Sequence, residues 1–230
     1  MLKRKKGFAQ KKVIKQDDLI ITYENVVSWY QTNKKLVTNI GIALVVVIAA
    51  GWFYLNNQHQ NNQKAALDFA KVFTYYDNGQ YQIAMNGIPA KSVRGLKDIV
   101  ANYGSTEYGN LAKFYLANCY YNQGQYDDAI TEYEDASLSS PLLEASRLAG
   151  IAACYEANGK YAEAAKNFEK AGKFSTNDPN APDNLANAAR DYAKAGDKDQ
   201  AIELYKLIKR EHAESAAARE AEKYLEELRG

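Results

Sequence analysis

The chain has 230 residues, enough for one sizeable folded domain and one appended segment. Two cysteines are too few for a disulfide framework, and a net charge of +1 does not indicate a nucleic-acid-binding surface. The charge is uneven, however, because residues 1–35 carry a net +6 and residues 56–230 a net −5. This asymmetry indicates that the two ends of the chain lie in different compartments.

Residues 1–35 form a basic tail in which apolar and aromatic residues recur at spacings of four, three and four. These residues are Leu19, Tyr23, Val26 and Tyr30. Because the spacing follows the helix period, we predict a juxtamembrane helix that lies at the lipid headgroups or leads directly into the next segment. Contact of the tail with anionic lipid or a cytoplasmic partner is a further hypothesis, although membrane topology alone accounts for its charge.

Residues 36–55 read LVTNIGIALVVVIAAGWFYL, twenty residues without a formal charge. A helix of that length covers about 30 Å, the thickness of the hydrocarbon core of a bilayer. Trp52, Phe53 and Tyr54 mark its far end, as aromatic residues do at membrane interfaces. We therefore predict a transmembrane helix. A buried core helix would need polar positions that this run lacks, and a cleaved signal peptide would need a small residue where Ile48 stands.

The flanks of this helix predict its orientation. Lys and Arg are concentrated before it, whereas residues 56–62 contain none. The positive-inside rule therefore places residues 1–35 in the cytoplasm and residues 56–230 across the membrane, which in a bacterium is the periplasm. The predicted localisation is the bacterial inner membrane, with a single pass, a cytoplasmic N-terminus and a periplasmic C-terminal domain. Residues 56–64 are rich in Asn and Gln and are predicted to be a polar linker.

Internal repeats fill the rest of the chain. The run YDDAITEYEDA from Tyr126 aligns with YAEAAKNFEKA from Tyr161, a shift of 35 residues, and DQAIELY from Asp199 repeats their centre. This pattern resembles the tetratricopeptide repeat, in which paired helices stack on their neighbours. The predicted fold class is all-α, with one N-terminal transmembrane helix followed by a tetratricopeptide-type α-solenoid and a C-terminal capping helix.

Three ordinary repeats are predicted over residues 110–213, with a capping helix over 214–230. In each repeat, alanines let the paired helices approach closely and aromatic residues fill the gap beside them. One glycine per unit can adopt positive φ and end the first helix, at Gly79, Gly124, Gly159 and Gly196. Residues 65–109 are predicted to be an irregular first repeat with an inserted segment, because Pro89 must interrupt a helix.

Cys119 and Cys154 occupy the same position in neighbouring repeats. Equivalent points on adjacent helices lie roughly 10 Å apart, the diameter of a helix. A disulfide needs Cα atoms within about 7 Å. We therefore predict two reduced, packed thiols and keep a disulfide as the alternative.

In this repeat architecture, fixed positions on the first helix of each unit line a concave groove. They give the predicted partner-binding groove: Phe69, Phe73, Tyr76, Leu111, Phe114, Asn118, Tyr121, Asn122, Arg190 and Lys194. Its membrane-proximal half is aromatic and suits apolar stretches of another protein, whereas its distal half is small or charged. The alternative is that Phe69 and Phe73 pack against the irregular segment from Ile88 to Tyr108. Asn118 and Arg190 alone do not make a carboxylate clamp.

The motifs of catalysis are absent from the sequence. His59 and His212 are the only histidines, and neither has the spacing of a metal site or a catalytic triad. We find no phosphate-binding glycine loop, nucleophile elbow or zinc-type cysteine pair. The sequence therefore predicts no enzyme, no cofactor, no metal, no nucleic-acid partner and no small-molecule substrate. A membrane-bound enzyme is the least favoured alternative.

The order of basic tail, anchor, irregular unit and three repeats resembles the YfgM-like family of ancillary subunits of the Sec translocon. The motifs that carry this resemblance are Tyr23-Glu-Asn, Gly51-Trp-Phe-Tyr54 and Ile99-Val-Ala-Asn-Tyr-Gly-Ser-Thr106. It implies a membrane-anchored periplasmic adaptor that links translocation to chaperones. The implied partners are the SecYEG translocon, a membrane-anchored periplasmic chaperone and nascent chains, with the lipid bilayer contacted through residues 36–55. The alternative is a structural scaffold subunit of another cell-envelope complex, in secretion, pilus or outer-membrane assembly.

Overall fold

The computed structural model describes residues 13–175 and 178–229. Residues 1–12 of the predicted basic tail lie outside the described residues. The chain divides into two compact units, Met1–Asn57 and Gln58–Gly230. Each unit is built from helices whose ends follow from the local sequence.

The first unit contains α1 (Val13–Thr32) and the beginning of α2 (Lys34–Asp77). The helical periodicity predicted for this part of the tail is present as α1, and its place beside a membrane stays a prediction. Asn33 lies between the two helices, where its N–H donates to the carbonyl oxygen of Trp29 at 3.0 Å.

The apolar part of α2 is exposed among the residues that the structure describes. An 18-residue window has a mean hydropathy of 2.2, and none of it is buried. This finding excludes the alternative of a core helix for this window. Among the helices that the structure describes, α2 is the one long and apolar enough to cross a bilayer.

The predicted polar linker at residues 56–64 is helical, which corrects that prediction. These residues lie within α2, which continues to Asp77. Although polar, the stretch contains no glycine or proline, so nothing in its local sequence ends a helix. Side chains one turn apart also interact, since His59 Nε2 and Gln63 Nε2 lie 3.0 Å apart.

The irregular first repeat lies in the second unit and follows the end of α2. Its elements are α3 (Tyr81–Asn86), β1 (Gly87–Ile88), a short 3-10 helix (Pro89–Lys91), β2 (Val93–Arg94) and α4 (Leu96–Tyr103). The strands pair antiparallel, with Gly87 opposite Arg94. The interruption at Pro89 is therefore confirmed, and it takes the form of a hairpin with two residues in each strand, a small exception to an all-α fold.

The three ordinary repeats follow as pairs of neighbouring helices. They are α5 (Glu107–Asn122) with α6 (Tyr126–Asp135), α7 (Pro141–Ala157) with α8 (Tyr161–Phe174), and α9 (Ala181–Lys194) with α10 (Lys198–Glu211). Helix α11 (Ala216–Arg229) packs after them. The four glycines predicted to end first helices all have positive φ, between 71° and 90°.

The core of the second unit consists of three hydrophobic clusters. The first joins the end of α2 to α3, α4 and α5, the second lies around α5, α6 and α7, and the third extends to α11. Ile208, which stands where a small residue is usual, is fully buried in the third cluster together with Leu225. The bulky residue thus packs in the cluster that the capping helix completes.

Cys119 and Cys154 are both free and fully buried, which confirms the prediction of two packed thiols. Burial raises the pKa of each thiol to about 12. In the third repeat, Asp191 stands at the corresponding position and is also fully buried.

Candidate partner-binding groove

The membrane-proximal half of the predicted groove is an aromatic cluster centred on Tyr115 of α5. The rings of Phe69, Phe73 and Tyr76 on α2 lie 5.4, 5.2 and 4.8 Å from the Tyr115 ring, between centroids. These tilted and edge-to-face geometries are the favoured arrangements of aromatic pairs. Tyr115 was not among the predicted groove residues, although its adjacency to Phe114 marks an aromatic stretch of α5.

Burial of Phe69 corrects part of the predicted groove. Its side chain is 7% exposed, and its ring also contacts the Tyr108 ring at 6.0 Å. For Phe69, the alternative of packing against the segment from Ile88 to Tyr108 is therefore the better description. Phe73 and Tyr76 remain half-buried at the edge of the cluster.

Phe114 is likewise a core residue, with 7% of its surface exposed. Its ring contacts Tyr115 at 5.3 Å and Tyr133 at 5.8 Å. Leu111 is half-buried against the first cluster. Phe114 lies in the core and not in the groove because its bulky ring contacts other aromatic rings. These contacts fill space that smaller side chains would leave open to a partner.

Asn118 connects two tyrosines across the first ordinary repeat. Its Nδ2 donates to the Tyr76 hydroxyl at 3.2 Å, and the Tyr133 hydroxyl donates to its Oδ1. Burial raises the pKa of Tyr76 to about 12 and raises that of Tyr133 as well. Both hydroxyls therefore stay protonated, and the Asn118 amide is engaged within the chain.

Tyr121 and Asn122 are the exposed part of this half. Tyr121 is 38% exposed, with its ring 5.6 Å from that of Tyr126. Asn122 is exposed, and its Nδ2 donates to the Asn118 carbonyl oxygen at 2.7 Å. These side chains, with the edges of Phe73 and Tyr76, are what the predicted groove presents to a polypeptide here.

The distal half is a cluster of paired charges between α7 and α9. Arg190 Nη2 and Lys194 Nζ lie 3.1 and 2.9 Å from Glu156 Oε1. Lys194 Nζ is also 3.3 Å from Asp191 Oδ1 and 4.8 Å from the centroid of the Tyr161 ring. Sequence reasoning found both cations but did not assign the buried Asp191 to the cluster.

The two carboxylates of this cluster have opposite pKa shifts. Burial alone would raise the pKa of Glu156, but the hydrogen bond from Lys194 and the charge of Arg190 outweigh it and hold the pKa below its usual value. Burial raises the pKa of Asp191, and the charge of Glu156 adds to this effect. Within the described residues, Asp191 Oδ2 has no hydrogen-bond partner. The ionised form is therefore stabilised at Glu156 and destabilised at Asp191.

The groove residues are aromatic, amide and charged side chains, several of them paired within the chain. Across residues 13–175 and 178–229 there is no group of three or more His, Cys, Asp or Glu side chains placed to hold a metal ion. Aromatic edges, amides and paired charges are groups that contact peptides.

Residues 27–207 match the model of the tetratricopeptide repeat-like domain. This chain belongs to that family. The all-α fold with stacked repeats predicted from the sequence is thereby confirmed, and tetratricopeptide repeats make the chain a protein that interacts with other proteins.

Two solved structures are similar to this chain, and the first of them supports the fold. One is the crystal structure of the nearly identical tetratricopeptide-like repeats of a putative kinesin light chain from Podosopora anserina, with 21% identity over 73% of this chain and 86% of that chain, and a TM-score of 0.50. A form of those repeats with a glutamine replaced by methionine has 21% identity over 73% and 94%, with a TM-score of 0.48. A comparison with curated proteins gives no match.

Proposed function

We propose that this chain is a membrane-anchored adaptor in the bacterial inner membrane, which binds polypeptide partners in the periplasm near the Sec translocon and links translocation to chaperones. The observation that carries the proposal is that an exposed apolar helix and tetratricopeptide repeats occur in one chain. The resemblance to YfgM-like subunits supplies the translocon and the chaperone as partners. A chain that binds proteins through its repeats and is anchored by an apolar helix acts as an adaptor at a membrane.

The anchor and its orientation can be tested by cysteine labelling. Because both native thiols are buried with pKa values raised to about 12, they react slowly in the folded protein, and an introduced cysteine becomes the reporter. We expect a membrane-impermeant maleimide to label Glu134→Cys in intact cells that have a permeable outer membrane. Lys3→Cys should react only after lysis. Labelling of Lys3→Cys in intact cells, with Glu134→Cys protected, would contradict the proposed topology.

The exposed edge of the groove is the surface proposed to bind polypeptides. Phe73 and Tyr76 are half-buried, Tyr121 and Asn122 are exposed, and Arg190 and Lys194 retain about two fifths of their side-chain surface. Aromatic edges bury apolar surface without demanding one sequence, which suits varied polypeptides. The paired charges add hydrogen-bonding groups at the distal end.

Site-specific crosslinking in living cells tests this surface. A photo-crosslinking residue at Phe73 or Tyr121 should give adducts with SecY or with a periplasmic chaperone. The same residue at Glu134, which is exposed on the second helix of its repeat, is the matched control and should give few adducts. Equal adducts from Glu134, or none from Phe73 and Tyr121, would remove the groove from the proposal.

Affinity purification in mild detergent distinguishes the proposed function from its alternative. Recovery of SecY together with a chaperone supports the translocon adaptor. Recovery of a secretion, pilus or outer-membrane assembly complex without SecY would instead make the chain a scaffold subunit of that complex.

A further inference from the structure

A second surface of the repeats lies between α7 and α8 and shares no residue with the predicted groove. We name this surface the α7–α8 cleft; its volume is about 790 Å³. It is lined by Glu144, Leu148, Lys166, Glu169, Lys170, Lys173 and Phe174. We call the two apolar residues, Leu148 and Phe174, its apolar base and the five charged residues its rim.

The apolar base of the cleft is exposed to solvent. Phe174, at the end of α8, has 48% of its surface exposed, and Leu148 on α7 is half-buried. Leaving a phenylalanine ring half in water forgoes hydrophobic stabilisation of roughly 25 cal/mol per Å². An apolar side chain from another molecule would recover that stabilisation by covering the ring.

Both acidic side chains in the cleft are already neutralised within the chain. Glu144 accepts from Arg147 Nε at 2.9 Å and from its Nη2 at 2.5 Å. Glu169 accepts from Lys173 Nζ at 2.6 Å and from the Tyr192 hydroxyl at 2.7 Å. Burial would raise the pKa of Glu169, but these two hydrogen bonds outweigh it and lower the pKa. Both carboxylates of the cleft are therefore paired within the chain.

Two lysines of the rim are left without an acidic partner. Lys166 and Lys170 are exposed and form no ion pair within 4.0 Å among the residues that the structure describes. They lie four residues apart on α8, so they are neighbours on one face of that helix. The rim therefore carries two uncompensated positive charges beside an exposed aromatic ring.

We propose that the α7–α8 cleft docks an acidic amphipathic segment of a protein partner. An apolar side chain of that segment covers Phe174 and Leu148, and its carboxylates pair with Lys166 and Lys170. A helical segment with two carboxylates one turn apart matches the spacing of these lysines. Positive charges at a fixed four-residue spacing beside one apolar ring favour a polypeptide with matching side chains over a lipid surface, whose headgroups have no fixed spacing.

Binding of a designed peptide by the full chain in nanodiscs of zwitterionic lipid tests this inference. The probe is a fluorescent peptide with leucine and glutamate at helical spacing, and the reference peptide has lysine in place of glutamate. We expect only the leucine–glutamate peptide to bind. The Lys166→Glu/Lys170→Glu variant should weaken its binding about tenfold, since two exposed ion pairs become repulsive contacts. Phe174→Ser should weaken it as well.

The matched control is Lys198→Glu/Arg219→Glu, which changes the net charge equally at exposed positions outside the cleft. It should retain the affinity, and circular dichroism should show unchanged helicity for every variant. Absence of binding, equal binding of the lysine peptide or equal weakening by the control would overturn the inference. Two other occupants would also overturn it. One is an anionic vesicle, if Lys166 and Lys170 are needed for vesicle binding but not for peptide binding. The other is a second copy of the chain, if these lysines are needed for self-association but not for peptide binding. None of these results bears on the crosslinking test of the groove, because the two surfaces share no residue.

Discussion

Individual polar side chains inside the repeats differ sharply in how well they are paired. Asn118 bonds to two tyrosine hydroxyls, whereas Asp191 keeps one carboxylate oxygen without a partner among the described residues. Removing a fully paired group should therefore destabilise the fold, and removing a poorly paired one should stabilise it.

We expect Asn118→Ala to lower the free energy of unfolding by about 1–3 kcal/mol, because it leaves the buried Tyr133 hydroxyl unpaired. Urea unfolding of the full chain in detergent, followed by circular dichroism, measures this change. Adding Tyr133→Phe removes the orphaned hydroxyl and should recover part of the loss. A double variant as unstable as Asn118→Ala would contradict this account.

Asp191→Cys should raise the free energy of unfolding by about 1 kcal/mol at neutral pH, because it removes a buried carboxylate with an unpaired oxygen. Cysteine occupies the corresponding position of the two preceding repeats, and Lys194 keeps its pair with Glu156. Urea unfolding of both proteins over a range of pH is the measurement.

The pH dependence of that gain has a definite sign. Burial raises the folded-state pKa of Asp191 above the value of about 3.9 for an unfolded aspartate. Ionised Asp191 thus lowers stability above its folded-state pKa, and this loss vanishes below about pH 3.9. The advantage of Asp191→Cys should shrink as the pH falls toward that value. An advantage that grows on acidification would contradict burial as its cause.

The sequence alone predicts where residues lie in the repeat register but not how far each side chain is exposed. The repeat alignment placed Cys119 and Cys154 correctly, because register follows from periodicity. Packing of Phe69 was one of two alternatives, and periodicity could not decide between them or predict that Phe114 is buried, because both depend on the rings of Tyr108, Tyr115 and Tyr133.

At the scale of elements, helix ends follow mainly from glycine and proline. The glycines that end first helices have positive φ, and Pro89 begins the break after α3. The stretch 56–64 is polar enough to suggest a linker, but it contains no helix breaker and is helical. Long-range contacts also engage it, since Asn62 Oδ1 accepts from the Tyr108 N–H at 2.9 Å.

Gly159 provides a test of these helix ends. Its φ is 72° and no atom lies within 4 Å of an added Cβ, so backbone conformation alone limits substitution. We expect Gly159→Val to lower the thermal unfolding midpoint, at a cost of about 1–2 kcal/mol. Gly159→Asn should cost less, because asparagine tolerates left-handed conformations. Equal losses for the two variants would point to a cause other than φ.

At the scale of the whole molecule, repeats in a solenoid contact mainly their neighbours, so a local defect has a local effect. The capping helix α11 closes the third hydrophobic cluster through Leu225, which is 5% exposed. Periodicity predicted this cap and the stack of repeats correctly. Periodicity could not predict the α7–α8 cleft, because its unpaired lysines can be recognised only once the ion pairs of the neighbouring acids are known.

Leu225→Ser should destabilise the repeats by about 2–5 kcal/mol, the usual cost of truncating a buried leucine. Hydrogen exchange should become faster first in α9, α10 and α11, and later in α4 and α5. Glu226→Ser, at the exposed neighbouring position, is the control and should leave exchange unchanged. Uniform loss of protection along the chain would show that the repeats unfold as one unit.

The hairpin between α3 and α4 has a consequence for which residues its backbone can accommodate. A Cβ at Gly87 would lie 2.4 Å from the Val93 carbonyl oxygen, and one at Gly95 would lie 2.4 Å from that of Met85. In both cases the atom met is backbone, which cannot move aside as the end of a flexible side chain can. The path of the chain from α3 to α4 is therefore fixed by its backbone, and a side chain at either glycine would force the two strands apart.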